Sequence, residues 1–331
     1  MGKRSPSLLL AGLAAVVWAT SAAVCKLGLR SCTGFQLLLF VSGCGTLSLL
    51  GLVLITGRAH LLLEYRGRAL LSAARLGFLG IFLNSALYYY AFSRAPAQQV
   101  NLVTYTWPLW TVLFVQYLAH RARPTLGRGA GRTHRAWWRA APLVVTFAGV
   151  ALALLGGGAG SPGNGFLVGD ALALGGAIAY GLFSARIATR RDDRLVAATL
   201  YFGFATLFAL LWLVVTRSMP ALPSPAEWAG LIWLGAVVGA GGLFFWFSAL
   251  RRGDPVLLSN LVLITPLLAL LFIWILLGEA IRLTSILGCL LIVGGILVQA
   301  RISRPRRPAP ALAVVALAPS GLGAEVPETL A

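Results

Sequence analysis

Long apolar runs, each cut from the next by a short loop rich in arginine, leave this chain few ways to fold. A helix needs ~20 apolar residues to cross the hydrocarbon of a bilayer, and only a helix or a closed barrel keeps its backbone polar groups paired there. The runs fall at about 7–28, 33–56, 70–92, 97–119, 141–157, 166–188, 195–216, 226–250, 255–277 and 282–300. Composition decides between membrane spans and core helices. The 331 residues are 59% hydrophobic and only 11% charged, whereas a soluble domain carries about 25% charged residues. Too little polar material remains to cover a globule. The chain reads as an all-α polytopic membrane protein with ten transmembrane helices.

Two ends of the chain need separate treatment. The first run, behind Lys3 and Arg4, resembles the start of a signal peptide. It is too long for a cleaved apolar region and leads into further spans, so it reads as the first membrane helix. Beyond Pro305 the material changes: Ala311–Ala318 is hemmed by prolines and too short to cross a bilayer. Residues 304–331 are expected to form a disordered cytoplasmic tail.

A net charge of +18 invites a nucleic-acid reading, but the basic residues form no patch. With loops assigned alternately to the two sides, only Lys26, Arg30, Arg94, Arg217 and Arg282 of the 27 Lys and Arg fall opposite the termini. That bias is the positive-inside signature of a membrane protein, and it places both termini in the cytoplasm. The three His residues (His60, His120 and His134) lie in or beside basic loops without metal-ligand spacing. Cys25, Cys32, Cys44 and Cys289 read as buried small hydrophobes, with a Cys25–Cys32 bridge as the alternative. No metal, cofactor or nucleic-acid partner follows. A membrane-embedded enzyme is disfavoured, for there is no GxSxG, no carboxylate pair within a span and no phosphate-binding glycine loop.

The two halves of the chain correspond. Tyr88–Arg94 aligns with Trp246–Arg252, and in the same register Pro108-Leu109 falls on Pro266-Leu267. A proline inside an apolar helix removes a backbone donor, so its recurrence in register carries more weight than the apolar matches around it. At a similar offset Trp18 falls on Tyr180. Each half would hold five spans, 1–160 and 161–303, and five is odd. The second half must enter the membrane inverted. Inverted repeats place a solute site near the midplane between the halves and use rocking for alternating access.

Ten spans in two halves, Trp18 in the first helix and Tyr105-Thr-Trp-Pro108 in the fourth resemble the drug/metabolite transporter superfamily. Over residues ~5–303 the chain is most similar to EamA-type bacterial aromatic amino-acid exporters, which carry a Tyr-Leu-Trp-Pro stretch there. Thr106 replaces the Leu, and Tyr180 stands where the sixth helix usually has Trp. The resemblance implies a secondary transporter of the bacterial inner membrane that exports small amino-acid-like solutes, aromatic or apolar amino acids first. Export of another metabolite or drug, or a channel, are the alternatives. The oligomeric state stays open.

Polar and aromatic groups at mid-membrane are the candidate site, because each costs free energy in lipid unless it faces protein or water. Asn84 and Tyr88 share one face of the third helix. Asn101, Tyr105 and Pro108 share a face of the fourth, with Trp107 and Trp110 beside them. Asn260 and Pro266 lie in the ninth helix, Trp246 in the eighth, Trp18 in the first and Tyr180 in the sixth. Pro108 and Pro266 are expected to act as mid-helix hinges. Each asparagine reads equally as a cavity group or as an interhelical hydrogen-bond partner. Tyr89 and Tyr90 read either as site or as interfacial belt, and Lys26 and Arg94 as side chains snorkelling to the outer interface. No carboxylate falls at the midplane. Asp170 reads as a helix-dipole partner near an outer end, so the chain is expected to work without ion coupling, as a facilitator.

Overall fold

The computed structural model describes residues 4–122, 144–152, 164–188, 190, 192–219, 222–253, 258 and 261–302. The described residues are helical without a single strand. The chain runs through α1 (Arg4–Ala19), α2 (Ser21–Gly28), α3 (Gly34–Ile55), α4 (Arg68–Gly77), a π-helical stretch at Phe78–Leu83, α5 (Asn84–Arg94), α6 (Ala97–Thr104) and α7 (Trp107–Ala122). A further helical stretch covers 144–152. Then come α8 (Asn164–Ile187), α9 (Arg194–Val215), α10 (Pro225–Ile232), a second π-helical stretch at Trp233–Gly241, α11 (Gly242–Leu250), α12 (Thr265–Leu277) and α13 (Leu283–Ile302).

Local chemistry sets where these helices begin. Thr33 and Gln36 bond each other's backbone N–H groups in a capping box at the start of α3, and Ser224 does the same with Glu227 ahead of Pro225. Asp193 accepts the Leu195 and Val196 N–H groups that α9 leaves unpaired. Gly278, at φ +72°, ends α12 in the left-handed conformation that glycine adopts without strain.

Among the described residues, six helices are long and apolar enough to cross a membrane: Pro6–Gly28, Gly34–Ile55, Arg68–Arg94, Leu167–Ile187, Arg194–Val215 and Pro225–Leu250. The chain is a multi-pass membrane protein. The fourth expected span is not one helix: it stops at Thr104 and restarts at Trp107. The ninth is likewise interrupted by a turn at Leu263–Ile264. Pro108 and Pro266 are each the second residue of the restarted helix, α7 and α12. A proline there forfeits no hydrogen bond that the first turn could have made. Both prolines were expected inside continuous helices; instead each follows a break. The expected fifth span is described only over 144–152, and the tail 304–331 lies outside the described residues.

Packing joins early helices to late ones. α3 lies along α9, α5 and α7 lie against α8, and α1 lies against α11. Thr206 donates to Ser42 at 3.0 Å and sits 3.2 Å from Thr46, a hydroxyl cluster that ties α9 to α3. Gly235 permits the closest approach, since a Cβ there would collide with the Val41 carbonyl of α3. All four cysteines are free thiols, so Cys25 and Cys32 are not bridged.

Candidate functional site

A cavity of about 340 Å³ opens between α1, α5, α6, α8 and α9, walled by aromatic side chains. Trp107 meets Tyr180 edge-to-face, with centroids 5.1 Å apart. Tyr180 then contacts Phe183 at 5.6 Å, and Phe183 contacts Tyr201 at 5.4 Å. Trp18, Tyr88, Tyr89, Tyr105 and Phe202 complete the aromatic lining. Such rings offer a planar solute wide apolar faces and electropositive edges at small entropic cost.

The π-helical stretches shape this wall. A π turn adds one residue to the helical repeat and frees a carbonyl from its usual donor. The Trp18 indole N–H donates to the Val238 carbonyl at 3.2 Å, inside the second π stretch. A Cβ on Gly242, just beyond it, would collide with that indole. The first π stretch ends at Leu83, so Asn84 is the residue whose direction it resets.

Two amide atoms in the wall lack hydrogen-bond partners. Asn101 is 2% exposed, and its Nδ2 is buried and unpaired; Asn84 Oδ1 is in the same state. Buried polar groups are rarely left so, because each unpaired one costs about 1–3 kcal/mol. One is a donor and the other an acceptor.

Seven expected residues come together here: Trp18, Asn84, Tyr88, Asn101, Tyr105, Trp107 and Tyr180 all line the cavity. Two expected residues do not. Trp246 is fully buried behind Trp18, with ring centroids 6.1 Å apart. Trp110 lies one turn further along α7, where Gly181 and the Phe147 ring cover it. Asn260 lies outside the described residues. Tyr89 belongs to the cavity, whereas Tyr90 is 41% exposed. Ser21, Ser85, Thr104, Thr265 and Phe183 line it too and were not anticipated. Ser85 and Tyr89 share the one-turn spacing of Asn84 and Tyr88, a signal present in the sequence. The cavity extends to Arg190, Asp192 and Arg194, on the side that carries the basic loops.

Toward the opposite helix ends, polar bonds tie the segments together. Lys26 does not snorkel: its ammonium donates to the Phe92 and Ala95 carbonyls where α5 ends. The Glu279 carboxylate accepts the Ala97 and Gln98 N–H groups at 3.0 and 3.2 Å, and the Gln98 side chain donates to the Glu279 and Ala280 carbonyls at 3.0 Å each. Gln99 Nε2 donates to both Asp170 oxygens at 2.8 and 2.7 Å. Asp170 is thus engaged by α6 and not by the first turn of its own helix.

The sequence profile of the EamA-like transporter family matches residues 5–131 and again 167–300. An aromatic amino acid exporter of Ancylobacter novellus, YddG, is 30% identical over 236 residues, which are 69% of this chain and 75% of the exporter. A solved crystal structure of a protein shares the fold at 24% identity, with a TM-score of 0.60 over 91% of this chain and 98% of the other. With the profile matching both stretches that frame the cavity, the chain belongs to the EamA-like transporter family.

Proposed function

We propose that this protein is a facilitator of the bacterial inner membrane that exports aromatic and apolar amino acids by alternating access. The observation that carries the reading is the pairing of an aromatic wall with two orphaned amides. The rings suit an apolar side chain, Asn101 Nδ2 can donate to a carboxylate, and Asn84 Oδ1 can accept from an ammonium. The curated relative is named for aromatic amino acids, which agrees. A cavity that reaches the basic side, with bonds between the two halves of the chain at the other end, supports a carrier caught facing the cytoplasm. A channel would need both ends open together.

Two inverted repeats, 1–160 and 161–303, are the architecture we assign to this carrier. Several features support it. The family profile matches twice. The offset that pairs Pro108 with Pro266 also carries Phe78–Leu83 into the second π stretch, Trp233–Gly241. The packing has an exchange symmetry: the third helix on the sixth mirrors the eighth on the first, and the fourth on the sixth mirrors the ninth on the first.

The test is counterflow in proteoliposomes with labelled phenylalanine, tryptophan and leucine and no imposed ion gradient. Saturable exchange of these solutes is expected. No movement of any aromatic amino acid would overturn the substrate assignment. Concentrative uptake driven by a pH or sodium gradient would overturn the facilitator, and Asp170→Asn would then identify the coupling group.

The paired breaks are proposed as pivots. Pro108→Ala and Pro266→Ala together restore backbone donors at both restarts and favour continuous helices. The double variant is expected to lower turnover several-fold while the half-saturation constant moves less than twofold. Unchanged turnover would make the prolines packing features only.

A further inference from the structure

Among the described residues, the cavity carries one charged group that neither the aromatic wall nor the helix caps employ. At its basic end, Arg58, Arg190, Asp192 and Asp193 are paired. Arg58 bonds Asp193 Oδ2 at 2.8 Å, while Asp193 Oδ1 caps α9. Arg190 bonds Asp192 through Nε and Ser72 through Nη1. Burial and the adjacent Asp192 carboxylate push the Tyr65 phenol well above its usual range, so it stays neutral and adds no charge. Arg194 is different. It lines the cavity, it is half-buried, and its Nη1 is buried without a hydrogen-bond partner. Among the described residues it makes no ion pair.

A guanidinium with a buried, unpaired donor at the rim of a low-dielectric cavity attracts an anion, since the nearby Asp193 carboxylate is already bonded to Arg58 and to the start of α9, and its planar fork matches a carboxylate. We infer that Arg194 captures the carboxylate of the incoming solute at the cytoplasmic mouth and so selects amino acids over amines and amides of the same shape. This rests on the amino-acid reading above and names the group that enforces it. Arg190 is less available, because its Nε is bonded to Asp192 and its Nη1 to Ser72. From this mouth the apolar side chain would lead toward the Tyr201–Phe183–Tyr180–Trp107 ring series. The carboxylate would be handed on to Asn101 as the solute moves inward.

The experiment compares acids with their amides. Counterflow of labelled phenylalanine, and separately of labelled leucine, is competed from the cytoplasmic face with phenylalanine, phenylalaninamide, phenethylamine, leucine and leucinamide. The wild-type protein is expected to favour each acid over its amide. Arg194→Gln should raise the half-saturation constant for the acids about tenfold and leave competition by the amides and amine unchanged. Arg194→Lys should recover part of the preference. An equal loss for acids and amides, or no loss for either, would overturn the assignment. A wild-type protein that does not separate acid from amide would overturn it without any variant. If only leucine moves, the aromatic reading fails while the Arg194 comparison still stands on leucine and leucinamide.

Discussion

Replacing Trp107 by Ala is expected to cut the transport efficiency for phenylalanine and tryptophan about tenfold to a hundredfold, with insertion and yield unchanged. Trp107 opens the restarted helix α7, so its side chain projects from a helix end into the cavity and not into lipid. Among the described residues its ring partner is Tyr180, edge-to-face. A ring of the solute against this pair would gain about 1 kcal/mol beyond its buried area, with about 1–2 kcal/mol more from the apolar surface removed from water. Loss of both corresponds to about one and a half to two decades, the tenfold end being reached where part of the contact is kept. Trp107 is partly exposed to the cavity and, among the described residues, packs on no aromatic ring but Tyr180, so truncation leaves the helix contacts of Gly181 with α7 intact. Tyr105→Ala should act in the same direction, more weakly. Kinetics like those of the wild type for both variants across phenylalanine, tryptophan and leucine would remove them from the site.

What could be read ahead of the structure was the placement of helices, and the reason is physical. A span must be long and apolar, so run length alone located 33–56 and 195–216 within a residue or two of Gly34–Ile55 and Arg194–Val215. Hydrogen-bond register within a run leaves no such trace. Phe78–Leu83 and Trp233–Gly241 are as apolar as their neighbours, yet both are π-helical; the first leads directly into Asn84, and the second holds the Val238 carbonyl that Trp18 bonds. The prolines signalled a disturbance without locating it. Pro108 and Pro266 come just after the breaks because proline is tolerated in a first turn and not in an interior. Trp110 and Trp246 show the same limit, since residue type marks a mid-membrane aromatic but not which neighbour covers it. Arg194 was hidden for another reason: among so many loop arginines it counted as a topology signal, and only the pairing of Arg58 and Arg190 sets it apart.

Loosening the outer closure should reverse the orientation of the cavity. The bonds from Ala97 and Gln98 to Glu279, and from Gln99 to Asp170, join α6 to segments from the other half of the chain. In the proposed carrier, rocking to an outward-open state would break them, so they are expected to favour the cytoplasm-facing form. Lys26 serves a different purpose: its bonds to Phe92 and Ala95 stay within one half and would survive the motion. A hydrogen bond to a charged group is worth about 1.5–3 kcal/mol. Glu279 is only half-buried, so water replaces part of what its removal takes away. A net loss of about 2–3 kcal/mol for Glu279→Ala shifts the ratio of the two states by about 30-fold to 150-fold. The readout is a single cysteine at Ser85, in the cavity wall, with Cys25, Cys32, Cys44 and Cys289 replaced. An impermeant maleimide applied to the outer face should label it slowly in the parent and at least tenfold faster with Glu279→Ala. Adding Gln99→Ala should increase the rate further, since it removes the second cross-half contact. An unchanged rate in the double variant would mean that these bonds only cap α6, and that the closure is made by the apolar packing of the helices beneath them.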